Sequence, residues 1–142
     1  MAVTAANVRK LEGAIGRPVQ AGGAATMGDA MYIAADDDWE IADANVSAAI
    51  AAARGILVEV PFKTPGGTTC ADGDPIHVVT FGPVGGFSGL TPGGLLYLSN
   101  TAGQVTHTAP TGAGTWTSPI GYAESATVVF VNPGIAAPVS NS

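Results

Sequence analysis

Short apolar runs that follow a glycine turn are the dominant pattern of this chain. The pattern occurs three times, as TMGDAMYI at residues 26–33, ADGDPIHV at 71–78 and TPGGLLYL at 91–98. In each copy the glycine predicts a tight turn, and the apolar run after it predicts a strand. The chain is therefore predicted to consist of repeated turn-and-strand units.

The first and third copies are also followed by similar sequences, which indicates an internal duplication. In both, a Tyr-apolar pair ends the run, a short alternating stretch follows, and a second glycine, Gly55 or Gly121, stands at nearly the same distance. We predict one unit of strand, hairpin and return strand that is built twice. Its halves cover about residues 26–62 and 91–133, and a linking strand region lies at 70–89.

The remaining alternation predicts about seven or eight short strands within a body at residues 26–134. Clusters of Gly and Pro separate these strands at the spacing that is typical of a small barrel or sandwich. The predicted fold class is mainly β, a small β-barrel or β-tulip-like domain. The later strands are predicted at residues 56–62, 76–81, 95–98, 104–108, 120–123 and 127–131.

One stretch, residues 43–54, has the periodicity of a helix. Asp43 or Asn45 is expected to cap it, Gly55 is expected to end it, and the helix is expected to cover one open end of the barrel. Its apolar face is predicted to consist of Val46, Ala49, Ile50 and Ala53.

The two ends of the chain lack clear alternation. Residues 1–25 carry Arg9, Lys10 and Arg17, three of the five basic residues, and are predicted to form an N-terminal arm. Two interpretations stay open: a short edge strand with a flexible lead, or an extended arm that orders only against a neighbour. Residues 135–142 are predicted to be a flexible tail.

Composition narrows the possible partners. A chain of 142 residues suits one domain, and 46% hydrophobic residues alongside 20 Gly and 10 Pro favour turn-rich β structure over disorder. The net charge of −6, with only five basic residues, disfavours nucleic acid and anionic membrane as partners. Cys70 is the single cysteine and is expected to be buried. We expect a soluble protein, made in the cytoplasm without processing.

The candidate catalytic and metal-binding residues do not form a recognisable set. His77 and His107 lie in predicted strands without metal-ligand spacing, and no serine lies in a G-x-S-x-G turn. The three carboxylates at residues 36–38 lack the spacing of a calcium loop and are interpreted as a solvated hairpin tip. We therefore predict no enzyme activity, no metal and no cofactor.

Two stretches resemble tailed-phage structural proteins. LTPGGLLYLSNTAGQVT at 90–106, followed by PIGYAESAT at 119–127, resembles a pattern found in capsid decoration (cement) proteins and in domains of head or tail fibres. GDAMYI at 28–33, with ARGI at 53–56, is similar to small decoration proteins whose β-barrel has repeated Gly-Asp turns. Together the two stretches cover most of residues 18–133.

The resemblance implies a virion protein that binds the outer surface of an icosahedral head, commonly as a homotrimer. Such a protein stabilises contacts between subunits of the major capsid protein. The arm is then expected to supply the capsid contacts, and an apolar face in the body is expected to supply the trimer contacts. The predicted capsid contacts are Val3, Val8, Arg9, Lys10 and Arg17, and the predicted trimer contacts are Phe87 and Leu90.

Two alternatives stay open at this stage. The first is a head-fibre or tail-fibre module that binds a receptor or glycan by stacking of Tyr32, Trp39, Tyr97 and Trp116 on sugar rings. The chain lacks a long repetitive shaft, which disfavours this alternative. The second is a hydrolase with an unrecognised site at His77 or His107.

Overall fold

A curled half-barrel sheet of short strands dominates the computed structural model, which describes residues 2–61, 67–135 and 137–142. The protein is mainly β with one short α-helix, as the alternation predicted. The end of the strand predicted at 56–62 lies outside the described residues, as do two residues of the Pro-Gly-Gly sequence at 65–67, one of the Gly and Pro clusters that were predicted to separate strands.

The strands are mostly two to six residues long, and one is much longer. In chain order they are β1 (Ala2–Val3), β2 (Arg9–Lys10), β3 (Ile15–Gln20), β4 (Ala25–Thr26), β5 (Ala30–Ile33), β6 (Trp39–Ile41), β7 (Gly55–Glu59), β8 (Thr69–Cys70), β9 (Pro75–Gly85), β10 (Phe87–Ser88), β11 (Leu95–Leu98), β12 (Val105–Thr106), β13 (Thr115–Thr117), β14 (Pro119–Ala123), β15 (Val128–Val131) and β16 (Val139–Asn141). The helices are the α-helix α1 (Ala48–Ala51) and a 3-10 turn (Ala5–Asn7).

The main sheet has the strand order β12-β11-β14-β15-β9-β7-β5-β6, and β2 and β3 also pair with β9. Every pairing between these strands is antiparallel. Three two-stranded ribbons, β1-β10, β4-β8 and β13-β16, complete the described strands. The sheet therefore has two arms, β7-β5-β6 and β15-β14-β11-β12, which meet at β9.

The predicted duplication is visible in the strand pairing. The units β6-β5-β7 and β12-β11-β14 have the same order, and Met31 lies opposite Gly55 just as Leu96 lies opposite Gly121. Met31 and Leu96 are both fully buried. At Gly55 and Gly121 an added Cβ would collide with a carbonyl of the next strand, so both glycines allow two strands to approach closely.

All three copies of the glycine turn make the same hydrogen bonds. The N–H of the glycine donates to the carbonyl of a buried residue that is distant in the sequence. The N–H of that residue donates to the carbonyl of the residue that follows the glycine. All of these N–O distances are 2.7–2.9 Å. The three glycines have positive φ, as the sequence predicted. Gly28 pairs in this way with Leu57, Gly73 with Ala21, and Gly93 with Ala123.

The N-terminal segment lies along residues 75–88 of its own chain. The strand β1 pairs with β10, and β2 and β3 pair with β9, so residues 2–20 follow one antiparallel partner throughout. Between these strands, Thr4 N–H donates to Gly86 O and Leu11 N–H donates to Pro83 O, both at 3.0 Å. The segment predicted as an arm thus lies at the edge of the sheet. This placement agrees better with the edge-strand interpretation than with an arm that orders only against a neighbour.

Two glycines in and after β9 make room for this segment. Gly82 has φ +109, and a Cβ there would lie 2.5 Å from Ala14 Cα. Gly86 has φ +107, and a Cβ there would lie 2.6 Å from Val8 Cα. Backbone therefore packs directly on backbone at both positions.

The helix is much shorter than predicted, four residues rather than the span 43–54. Asp43 Oδ1 accepts from Asn45 N at 3.1 Å in a local turn, and Ser47 is the N-cap, because its Oγ accepts from Ile50 N at 3.2 Å. Ala44 is buried and bonds through its backbone to Ser99 and Trp116 of the second half instead of within a helix. None of the helices in the described residues is long enough to cross a membrane.

The C-terminal residues do not match the flexible tail predicted at 135–142. Val139–Asn141 form β16 and pair with β13. Asn141 Nδ2 donates to Pro110 O at 2.9 Å, and Asn141 Oδ1 accepts from Thr117 Oγ1 at 3.0 Å. A polar side chain with several partners, which composition does not reveal, therefore holds this end against the body.

The buried side chains form two clusters that lie on opposite faces of β5, β7 and β9. Consecutive residues such as Ile56 and Leu57, or Val79 and Val78, belong to different clusters. The larger cluster joins the two duplicated units and includes Ile56, Leu96 and Val129. The smaller cluster lies around Trp39, Leu57 and Cys70, so Cys70 is buried as predicted. The larger cluster packs the first unit against the second.

We predict that Gly82→Ala is much more destabilising than Gly93→Ala. Both glycines have positive φ, but an added Cβ at Gly93 would meet nothing within 4 Å. Gly93→Ala should cost about 1 kcal/mol of unfolding free energy from backbone strain, and Gly82→Ala roughly 2–4 kcal/mol because it also displaces Ala14. Urea denaturation of both variants tests this. Equal losses would show that the N-terminal segment does not pack tightly on β9.

Candidate functional site

An exposed apolar row crosses the outer face of the sheet on five neighbouring strands. We call it the aromatic row; its members are Ile15 on β3, Phe81 on β9, Phe130 on β15, Tyr122 on β14 and Leu95 on β11. The pairing places Ile15 opposite Phe81, Tyr122 opposite Phe130 and Leu95 opposite Tyr122. Directly opposed residues share one face of a sheet, so the row is continuous.

The three rings of the aromatic row contact one another while remaining partly open to solvent. Tyr122 and Phe130 stack with centroids 5.0 Å apart, and Phe81 meets Phe130 edge-on at 5.2 Å. The exposed fractions are 57% for Ile15, 42% for Phe81, 38% for Tyr122 and 60% for Leu95. Large contiguous exposed apolar patches commonly mark interaction surfaces. The row is the strongest candidate for such a surface in the described part of the chain.

The charges of the chain are kept away from most of this face. Every Lys, Arg and Asp precedes residue 75, and Glu124 is the only Glu that follows it. The strands β9, β11, β14 and β15 therefore carry no Asp, Glu, Lys or Arg. A partner of the row therefore meets no charged side chain on these four strands, even though the whole chain has a net charge of −6.

Three predicted contact residues form a basic edge beside the row. Arg9, Lys10 and Arg17 are all exposed on β2 and β3. Lys10 and Arg17 line a cavity of about 190 Å³ together with His77 and Glu59, whose Nδ1 and Oε2 are 4.0 Å apart. Lys10 and Arg17 thus share one cavity, whereas Arg9 lies against Gly85, seven positions along β9 from Val78, the residue opposite Arg17.

Three of the other four predicted contact residues are buried, contrary to the prediction. Phe87 is 5% exposed and Leu90 is 4% exposed, and both pack in the larger core cluster. They cannot form the exposed trimer face that we predicted. Val8 is also buried, so its side chain is not available to a capsid partner, whereas Val3 is partly exposed.

The aromatic residues proposed for glycan stacking are mostly occupied by the protein itself. Trp39 is buried in the smaller cluster, which removes it from any sugar-binding surface. Tyr32 and Trp116 are half-buried and pack against the larger cluster. Of the four, Tyr97 alone is not packed against a described core cluster, and it is also half-buried. A four-ring stacking surface is therefore not formed.

The two histidines are far from equivalent. The His77 side chain is 45% exposed. By contrast, His107 Nε2 accepts from Thr91 N at 2.9 Å, and His107 Nδ1 lies 2.8 Å from Leu95 O. Because Nε2 accepts, Nδ1 is the donor to Leu95 O. His107 therefore connects the third glycine turn, through Thr91, with the start of β11. Within the described ranges, no group of three His, Cys, Asp or Glu side chains is arranged to hold a metal ion.

A second cavity, of about 300 Å³, lies where the two duplicated units meet. Its lining consists of Ala2, Val3, Gly28, Asp29, Phe87, Gly103, Gln104 and Val105. Ala30 N–H donates to Gly103 O at 2.8 Å and joins the units at this point. Asp29 Oδ2 accepts from Thr26 N at 2.8 Å, and burial raises the pKa of Asp29 above its usual range, against the smaller lowering effect of that hydrogen bond.

Comparison of the chain with protein-family models, with curated proteins and with solved structures gave no match.

Stability should reveal the buried charge of Asp29 as a dependence on pH. The pKa of Asp29 is 3.8 in the unfolded chain and higher in the folded chain. The contribution of Asp29 to the free energy of unfolding therefore falls as the pH rises from the unfolded pKa through the folded pKa. We predict that Asp29→Asn, which keeps an acceptor oxygen for Thr26 N–H, gains stability relative to the parent chain across that interval. Asp29→Ala loses the acceptor and should cost about 1 kcal/mol. Urea denaturation at pH 3 and pH 7 tests both.

The difference in unfolding free energy between the parent chain and Asp29→Asn should change between pH 3 and pH 7. An equal difference at the two pH values would contradict this interpretation of Asp29.

Proposed function

We propose that this chain is a non-enzymatic virion protein: a capsid decoration protein that binds the outer surface of an icosahedral head and stabilises its coat subunits. The observation that carries the proposal is the aromatic row, because an exposed, uncharged, ring-rich sheet face suits adhesion between proteins. The resemblance of residues 90–106 and 119–127 to such proteins supplies the specific function.

In this proposal the aromatic row joins three copies into a homotrimer. Four of the five strands of the row carry no Asp, Glu, Lys or Arg, so copies with a net charge of −6 can approach there without like charges meeting. Aromatic side chains at the centre of an interface commonly contribute most of its binding energy. Phe81, Tyr122 and Phe130 take the place of Phe87 and Leu90 as the proposed trimer contacts.

The basic edge would then face the major capsid protein. Arg9, Lys10 and Arg17 are exposed and lie on the outermost strands of the N-terminal segment, where a second protein can reach them. Charged groups at an interface accelerate association and select an oppositely charged partner. The proposed coat surface is therefore acidic where it meets this edge.

Stabilisation of the head follows from mass action. A protein that binds only the assembled lattice stabilises it by about 2.7 kcal/mol per site when its free concentration is a hundredfold above the dissociation constant. No bond is made or broken in this function, which needs only a stable body and complementary surfaces.

Light scattering tests the role of the aromatic row in assembly. The parent chain, of 14.0 kDa, should have about three times that mass at micromolar concentration. We predict that the double variant Tyr122→Ser, Phe130→Ser weakens assembly by about tenfold or more, since both side chains are anchors. Ile135→Ser is the control, because Ile135 is 99% exposed but lies outside the row. A monomeric parent, or a double variant that retains the parent mass, would refute the proposed trimer face.

Cosedimentation with empty heads, assembled from the major capsid protein of the same genome, tests the function itself. The parent chain should bind in saturable fashion, with a fixed number of copies per coat subunit. The triple variant Arg9→Gln, Lys10→Gln, Arg17→Gln should bind about tenfold more weakly, and with less dependence on salt. Arg54→Gln, which removes a cation away from this edge, is the control.

Absence of saturable binding by the parent chain would refute the decoration function. Binding of the triple variant at parent strength would refute the basic edge as the coat-facing surface.

A further inference from the structure

The cavity between the two duplicated units combines apolar walls with one carboxylate. Val3, Phe87 and Val105 supply apolar side chains, whereas Asp29 and Gln104 supply polar ones. Its volume of about 300 Å³ is at the lower end of the range for small-molecule sites. Sites of this kind are usually mostly apolar, with a few polar groups that fix the orientation of the ligand.

One oxygen of Asp29 is left for a ligand. Oδ2 accepts from Thr26 N at 2.8 Å, but no described donor bonds to Oδ1. Oδ1 lies against the backbone of Gly103, where an added Cβ would come within 2.7 Å of it. The missing side chain at Gly103 therefore leaves room for this oxygen, and both residues line the cavity.

The chemistry of the cavity selects a cation with an apolar stem. A partly desolvated carboxylate interacts more strongly with a positive charge than a carboxylate in water does. A hard metal ion needs several oxygen ligands, and among the described residues Asp29 is the only carboxylate that lines this cavity. A primary ammonium needs a single carboxylate partner, and its methylene groups match Val3, Phe87 and Val105.

We infer that this cavity binds a primary alkylammonium group, with the ammonium on Asp29 Oδ1 and the alkyl chain along Val3, Phe87 and Val105. The inference is independent of the proposed function, because it uses neither the aromatic row nor the basic edge. A free amine and the side chain of a lysine in another protein both present this chemistry.

Two similar turns carry an aspartate, and only one of them lines the cavity. The other turn therefore provides a matched control. Asp29 and Asp74 occupy the same position after the turn glycine, and Asp74 Oδ2 accepts from Ala71 N at 2.8 Å, just as Asp29 Oδ2 accepts from Thr26 N. Asp74 does not line the cavity. Asp29→Asn and Asp74→Asn therefore make the same chemical change in two equivalent turns, only one of which forms the site.

An NMR titration of the full ¹⁵N-labelled chain tests the inference. n-Butylammonium should cause saturable shifts at the amides of Asp29, Gly103 and Gln104, whereas n-butanol, of similar length but neutral, should bind about tenfold more weakly. Nα-acetyl-lysine methylamide, run in parallel, identifies the source. Comparable binding of this derivative indicates a lysine side chain, and binding of butylammonium alone indicates a free amine.

The variants decide whether Asp29 is responsible. Asp29→Asn should bind n-butylammonium about tenfold more weakly and lose the preference over n-butanol, whereas Asp74→Asn should bind as the parent does. The dispersion of the same spectra shows whether each variant is folded, and the shifts of n-butanol report the intact cavity in a folded Asp29→Asn. Non-saturable shifts, equal binding of n-butanol and n-butylammonium by the parent, or equal weakening by both variants would overturn the inference.

Discussion

The pairing of β9 with strands on both of its sides is the constraint on which the rest of the fold depends. On one side lies the N-terminal segment, and on the other lie β7 and then β15, which belong to different arms of the sheet. An eleven-residue strand is long enough to pair with β7 over its first part and with β15 over its last. Gly82, at the start of the β15 pairing, has the positive φ and the small volume that let Ala14 of the N-terminal segment pack against β9.

The same constraint explains why one face of the molecule is available for contact. Because the N-terminal segment occupies one side of β9 and the two arms occupy the other, the five strands that carry the aromatic row become neighbours. Their inner residues, such as Val129 and Leu96, fill the core, so the alternating residues Phe130 and Leu95 must point outward. The outward-pointing side chains of the row are apolar, although they are not buried and the core does not need them to be apolar. Selection for a contact surface is a direct explanation for keeping it so.

The features that could be predicted from the sequence are local ones. A glycine with positive φ, followed by an apolar run, specifies its turn within four residues, so all three turns and the duplication could be recognised. The helix was misjudged because its periodicity competes with interactions of two kinds. Asp43 forms its own turn with Asn45, and Ala44 bonds to distant backbone in the second unit. Periodicity contains no information about either bond.

The candidate sites were less predictable because each of them depends on contacts between distant segments. Alternation shows that Phe87 and Phe130 each lie on one face of a strand, but only the packing decides that Phe87 is buried and Phe130 lies on the outer face. Asp29 illustrates the same limit: its turn is equivalent to that of Asp74, yet it lines a cavity only because Gly103, from the other unit, lies against it. The repeated glycine turn thus occurs with a similar carboxylate at Asp29 and at Asp74, and only Asp29 lies at the junction of the two units.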